Sequence, residues 1–152
     1  MNATSSDPET SVDGPTLFRR RRLRADAHTV GLARTEFARW LQHRLGLTPA
    51  CRTDLVLAVN EALANAAEHA YAAAPGSGSM DVDARYDAAC DTLSVSVEDH
   101  GQWRATRADT PPRTRGRGLR LMRALADDTT INTTAEGTCV NMTWRHVHLP
   151  TT

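Results

Sequence analysis

Lysine is absent: all 18 basic residues of this 152-residue chain are arginine. That excludes a Schiff-base former and a lysine phosphate anchor, so any bound phosphate must be met by guanidinium or backbone N–H groups. Aromatic residues are scarce, at 5% against an apolar share of 40%, so the core must be mostly aliphatic and rich in alanine. The three cysteines, Cys51, Cys90 and Cys139, are odd in number and include no CxxC pair. They indicate neither a disulfide framework nor a zinc site, and reduced cytosolic thiols are expected. No segment approaches the roughly 20 apolar residues of a membrane span. The polar N-terminus, MNATSSDPETSVDGPT, lacks the apolar centre of a secretory signal. A cytoplasmic protein without membrane contact is expected. Net charge is zero at pH 7, which argues against bulk electrostatic binding to nucleic acid.

What is present fits one domain. Residues 1–14 have almost nothing to bury and read as a disordered tail, leaving 15–150 as the folded unit. The stretch Leu17 to Ala25, LFRRRRLRA, reads as a solvated or edge strand guarded by charge, in preference to a nucleic-acid patch made by Arg19–Arg22. Val30, Ala33, Phe37, Leu41 and Leu45 recur at helical spacing and predict a helix from about Thr29 to Leu45, with Gly46 as its C-cap. A second helix starts at Pro49 or Thr53 and runs to about Tyr71. Its core stripe is Leu55, Val59, Leu63, Ala66 and Ala70, and a neighbouring stripe carries Ala58, Glu61, Asn65 and Glu68/His69. After a Gly/Ser/Pro/Ala loop, Met80–Tyr86 and Thr92–Glu98 read as a hairpin around Asp87–Asp91; the alternation of Leu93, Val95 and Val97 gives one buried face. Gly116 to about Asp127 reads as a glycine turn and then a helix. Thr129–Thr134 and Thr138–Val147 close the chain as strands around Glu136-Gly137. His146 and His148 form an HxH pair without matching ligands and read as surface residues.

Three short motifs carry possible chemistry. Glu61 and Asn65, at i and i+4, share a helix face. An Asn carboxamide oxygen is a hard neutral ligand suited to Mg²⁺, and a Glu one turn away can take a proton from an attacking hydroxyl or water. Asp99-His100-Gly101 ends the alternating strand. An ionised Asp there accepts a hydrogen bond from an exocyclic amine such as that of adenine, and Gly101 lets a ring approach the backbone. Arg115-Gly116-Arg117-Gly118-Leu119 is read as opening a helix, where free N–H groups attract anions. Residues 104–123 hold seven arginines and one acid, Asp109, which concentrates positive charge inside a neutral protein.

The order of these motifs is more specific than any one of them. Asn60-Glu61-Ala-Leu-Ala-Asn65-Ala resembles the N-box of the GHKL (Bergerat-fold, histidine-kinase-like) ATPases. Asp99-His-Gly101 resembles their G1 box, Gly116-Arg-Gly118-Leu119 their G2 box, and Gly137-Thr138 the Gly-Thr that helps form the adenine pocket. The resemblance extends over about residues 17–149. Within the superfamily, the helix AVNEALANAAEHAY and the short G1–G2 segment are most similar to the bacterial anti-sigma-factor serine/threonine kinases. The resemblance implies a two-layer α/β (α+β) sandwich, the Bergerat ATP-binding fold, with a mixed β-sheet packed on helices.

Carried onto this chain, it implies ATP and Mg²⁺ as ligands. Glu61 would be the general base and Asn65 the Mg²⁺ ligand. Asp99 would bind the adenine amine with Gly101 beside the ring. Arg115, Gly116, Arg117, Gly118 and Leu119 would wrap the phosphates, and Thr138 would support Asp99. The implied partners are a sigma factor and a STAS-type anti-sigma antagonist that is phosphorylated on Ser or Thr, with a homodimer as the assembly and transcription regulation as the role. Trp103, also counted among the ATP-binding residues, stands where many relatives carry a second glycine, so its ring would pack on the nucleotide or stiffen the lid, and Pro111-Pro112 interrupts the lid. These departures motivate an alternative: a nucleotide-gated binding module of the same fold without phosphotransfer.

Overall fold

The computed structural model describes residues 11–73, 78–100, 113–135 and 137–148. The elements run β1 (Ser11–Asp13), β2 (Leu17–Arg24), α1 (Ala27–Trp40), α2 (Pro49–Ala73), β3 (Ser79–Asp87), β4 (Thr92–Asp99), α3 (Arg113–Leu125), β5 (Asp128–Thr134) and β6 (Gly137–Arg145). The strands form one six-stranded sheet in the order β1-β2-β3-β4-β6-β5. Helices cover one face of it, giving a two-layer α+β fold.

Helix α1 starts earlier than its hydrophobic spacing predicts because the Asp26 carboxylate accepts the Thr29 N–H at 2.7 Å and caps the first turn. That hydrogen bond also lowers the Asp26 pKa. A π-turn, Leu41–Leu45, follows and ends at Gly46, which has φ 61° as expected of a C-cap. The stripe Val30, Ala33, Phe37, Leu41 and Leu45 is buried, as is the α2 stripe Leu55, Val59, Leu63, Ala66 and Ala70. From the sheet, Met80, Val82, Leu93, Val95, Val97 and Met142 meet these helices. Three of the few aromatics cluster at one end: Phe18 lies 5.5 Å from Phe37 and 5.8 Å from Trp40, measured between ring centres.

Three expectations need correction. The sheet is not mixed: every pairing is antiparallel. Two helices carry the chain out and back between β2 and β3, and β3/β4 and β5/β6 are hairpins. Strand β5 does run parallel to β4, but β6 lies between them. The segment read as a structureless tail to residue 14 begins its order earlier, because Ser11–Asp13 pairs with Phe18–Arg20 through a turn in which Gly14 N–H donates to the Leu17 carbonyl at 2.7 Å. Strand β2 is therefore covered along that stretch and is not the edge. Third, Gly116 does not lie in a turn before a helix. Helix α3 begins at Arg113, so Gly116 and Gly118 sit within it.

Three arginines of the run make contacts within the fold. Arg19 and Arg21 reach Asp83 at 3.0 and 3.6 Å. Arg20 lies over the Phe18 ring, 4.3 Å from its centre, and pairs with Glu36 at 2.6 Å. Arg19, Arg20 and Arg21 are thus engaged within the fold, while Arg22 contributes its backbone N–H to Asp81.

Candidate nucleotide site

Alternation along β4 that buries Leu93, Val95 and Val97 carries one step further to Asp99. Its carboxylate therefore points to the helix side and is 4% exposed. On α2, the turn-by-turn spacing that puts Leu63 into the core sets Ala62, Asn65, Ala66 and His69 toward the same place. Asn65 is 6% exposed, and it and Asp99 are the buried polar residues of the described chain. A cavity of about 50 Å³ lies between them, walled by Val97, Val140 and Ile131 from the sheet and by Leu119 and Met122 from α3. Its polar lining is Asn65, His69, Asp99, Thr133 and Thr138.

Asp99 is held from two sides. The Thr138 backbone N–H donates to Oδ1 at 3.3 Å, and His69 Nδ1 faces Oδ2 at 3.7 Å. The first contact follows from register: Glu98 pairs with Cys139, so Thr138 comes opposite Asp99. Gly137 makes the approach possible. A Cβ there would lie 1.9 Å from the Asp99 carbonyl oxygen, at φ 150°. Gly118 plays a similar part on the other wall, where a Cβ would stand 3.0 Å from Asn65 Nδ2 and 3.1 Å from Glu61 Oε1. Helix α3 thus rests directly on the Glu61/Asn65 face of α2.

Six of the residues singled out in the sequence are brought together around this cavity and its rim: Glu61, Asn65, Asp99, Gly118, Leu119 and Thr138. Arg115, Gly116 and Arg117 lie in the first turns of α3, and their side chains fall outside the described residues. Gly101 and Trp103 also lie outside them. Because α3 starts at Arg113, its N–H groups without helical acceptors lie in the first turn, before residue 116, so the Gly118 N–H is not one of them. His69 was visible only as a member of a helical stripe, one turn beyond Asn65; its place beside Asp99 depends on how α2 crosses β4. The Ile131 and Val140 walls carried no separate signal.

A buried carboxylate at the end of an apolar slot, a buried carboxamide and a second carboxylate one turn away suit a purine base and a hydrated divalent cation. The fold is a two-layer α+β domain with a polar-ended apolar slot between its layers. The chain belongs to the histidine kinase-like ATPase domain family, whose model matches residues 23–144. Among solved structures, it is similar to that of the RsbU and RsbW domains of Rv1364c from Mycobacterium tuberculosis, with 27% identity and a TM-score of 0.66 over 85% of this chain. It spans 32% of the length of that protein. No helix among the described residues is long and apolar enough to cross a membrane.

Proposed function

We propose that this chain is an ATP–Mg²⁺-binding anti-sigma regulator that acts as a serine/threonine protein kinase. The observation that carries the proposal is the Asp99 carboxylate, buried and fixed by Thr138 at the end of a cavity that Asn65 also lines. Asp99 accepts the adenine amine; Val97, Val140 and Met122 exclude water from the ring. Asn65 holds Mg²⁺, which when bound neutralises charge on the phosphates. Glu61, on the open side of Asn65, takes the proton of a partner Ser or Thr hydroxyl as that oxygen bonds to the γ-phosphorus and ADP leaves. Gly118, Leu119 and the arginines around them close over the phosphates. The protein's share is positioning, proton acceptance and exclusion of water. Its partners are a sigma factor and a STAS-type antagonist, and a homodimer is the proposed assembly.

Glu61→Ala separates binding from transfer. With labelled ATP and a STAS-type antagonist as acceptor, the variant is expected to hold ATP within a few-fold of wild type and to transfer no label. Equal transfer by both proteins removes Glu61 from the mechanism.

A second possibility, a nucleotide-gated binding module without transfer, draws on the packing of α3. The cavity holds no more than a few waters, less than a purine ring needs. Gly118 also stands against both Glu61 and Asn65. A nucleotide that widens this cavity presses on α3, and a face that moves with the nucleotide can gate a partner. A labelled antagonist excludes this alternative.

A further inference from the structure

The outer face of the sheet, opposite the helices, carries a second cluster of reactive side chains. Strand alternation sends Asp81 from β3 and Glu98 from β4 to this face, and His100, two residues past Glu98, follows it. Asp81 and Glu98 are register partners, so two carboxylates stand directly across from one another. That placement is repulsive unless positive charge lies between them. His100 Nε2 stands 2.8 Å from Asp81 Oδ2, and the Arg22 backbone N–H reaches Asp81 Oδ1 at 2.7 Å. Glu98 has no side-chain partner among the described residues. One ligand atom from each of Asp81, Glu98 and His100 lies within 4.8 Å of the other two.

We propose that Asp81, Glu98 and His100 form a binding site for a divalent transition-metal ion of the zinc type. An imidazole with two carboxylates is a mixed nitrogen–oxygen donor set, which favours Zn²⁺ over Mg²⁺, an ion that takes oxygen ligands and retains several waters. Tetrahedral zinc, with bonds of about 2.0–2.2 Å, sets its ligand atoms about 3.3 Å apart. Asp81 and His100 already approach more closely than that, and the exposed Glu98 side chain closes the remaining gap by rotation. The sheet fixes the backbone of Asp81 and Glu98, the His100 N–H holds its own place by donating to the Ser79 carbonyl at 2.8 Å, and water completes the shell. The ion replaces the hydrogen between His100 and Asp81 and cancels the repulsion between Asp81 and Glu98. Its site is separate from the nucleotide cavity: Asp99, lying in sequence between Glu98 and His100, points to the other face. An ion here would clamp the end of β4 from behind.

Titrating zinc chloride into metal-stripped, nucleotide-free protein, with bound zinc counted after equilibrium dialysis, tests the proposal. Wild type is expected to take one zinc per chain. His100→Ala and Glu98→Gln are each expected to bind at least tenfold more weakly, while far-UV circular dichroism stays unchanged because both side chains lie on the solvent face. No saturable binding by wild type, or wild-type affinity in either variant, overturns the proposal; the second result would place the ion elsewhere on the chain.

Discussion

Replacing Gly137 with alanine tests how β6 is locked against the end of β4. A Cβ at this position would lie 1.9 Å from the Asp99 carbonyl oxygen, 2.9 Å from its carbon and 3.0 Å from Oδ1. Carbon and oxygen are repulsive well outside the first of these distances, so the backbone must give by roughly 1 Å. The atoms in the way are main chain and carboxylate of a central strand, which cannot swing aside. Two costs then combine. Holding alanine at positive φ costs about 1–3 kcal/mol. Moving β6 also breaks the Thr138 N–H bond to Asp99, already 3.3 Å long. Leaving that buried acceptor without its donor costs another 1–3 kcal/mol or so. The expected loss is about 2–6 kcal/mol out of a total stability of about 5–15. For a domain of this size it corresponds to a Tm lowered by about 5–20 °C. Urea unfolding followed by far-UV circular dichroism measures it directly. Gly14→Ala serves as the control, since a Cβ there meets nothing within 4 Å. A Gly137→Ala variant within about 0.5 kcal/mol of wild type, the ordinary range for a harmless surface change, would refute the reasoning.

Three further outcomes are expected. The His148 ring has an acceptor at each nitrogen, the Leu45 carbonyl at Nε2 and Asp91 at Nδ1, and these, in that order, raise its pKa. Its stabilisation is therefore complete below the unfolded pKa, near about 6.5, and fades as pH rises through the higher folded value. With a side chain 38% exposed, the effect is held to about 1 kcal/mol or less by solvent screening. Denaturant midpoints between about pH 6 and 8 should fall in wild type and stay flatter in His148→Ala; parallel slopes would contradict the assignment. On the acid side, burial pushes the Asp91 pKa up, but the Tyr86 hydroxyl and His148 hold it below the usual value, so its contribution is lost as pH falls through that folded value. Separately, Leu63→Ala removes a fully buried side chain between α2 and the sheet. It is expected to cost about 2–5 kcal/mol in urea unfolding, and a loss under about 1 would mean that α2 packs otherwise.

Much of the fold was legible because the buried faces repeat. The α2 stripe and the β4 alternation are long and regular, and the structure extends the latter one step to put Asp99 on the face of Leu93 and Val97. The start of α3 was less legible. Gly116 and Gly118 look like turn residues, yet Gly118 is small because α3 presses on Asn65 and Glu61, a tertiary reason with no local trace. Strand β1 was hidden for a similar cause: its three residues are set by pairing with β2 rather than by hydrophobic pattern. The end of β6 was overrun by two residues because His146, at φ 56°, turns the chain so that His148 can reach Asp91. In the site, Glu61 and Asn65 could be paired by spacing alone. The contact between Thr138 and Asp99 could be named only from the resemblance, since it joins strands 39 residues apart through a register that no local pattern fixes. His69 belongs to the same class: helical spacing set its face, and the packing of α2 on β4 set its neighbour.

The central claim is that Asp99 and Asn65 frame an adenine-nucleotide site. Calorimetric titration of ATP–Mg²⁺ into wild type and Asp99→Asn tests it most directly. Wild type is expected to bind, and the variant, which replaces one carboxylate acceptor with an amide, to lose about 1–3 kcal/mol, or roughly five- to 150-fold in affinity. Absence of binding to wild type, or equal affinity in the two proteins, would contradict the account.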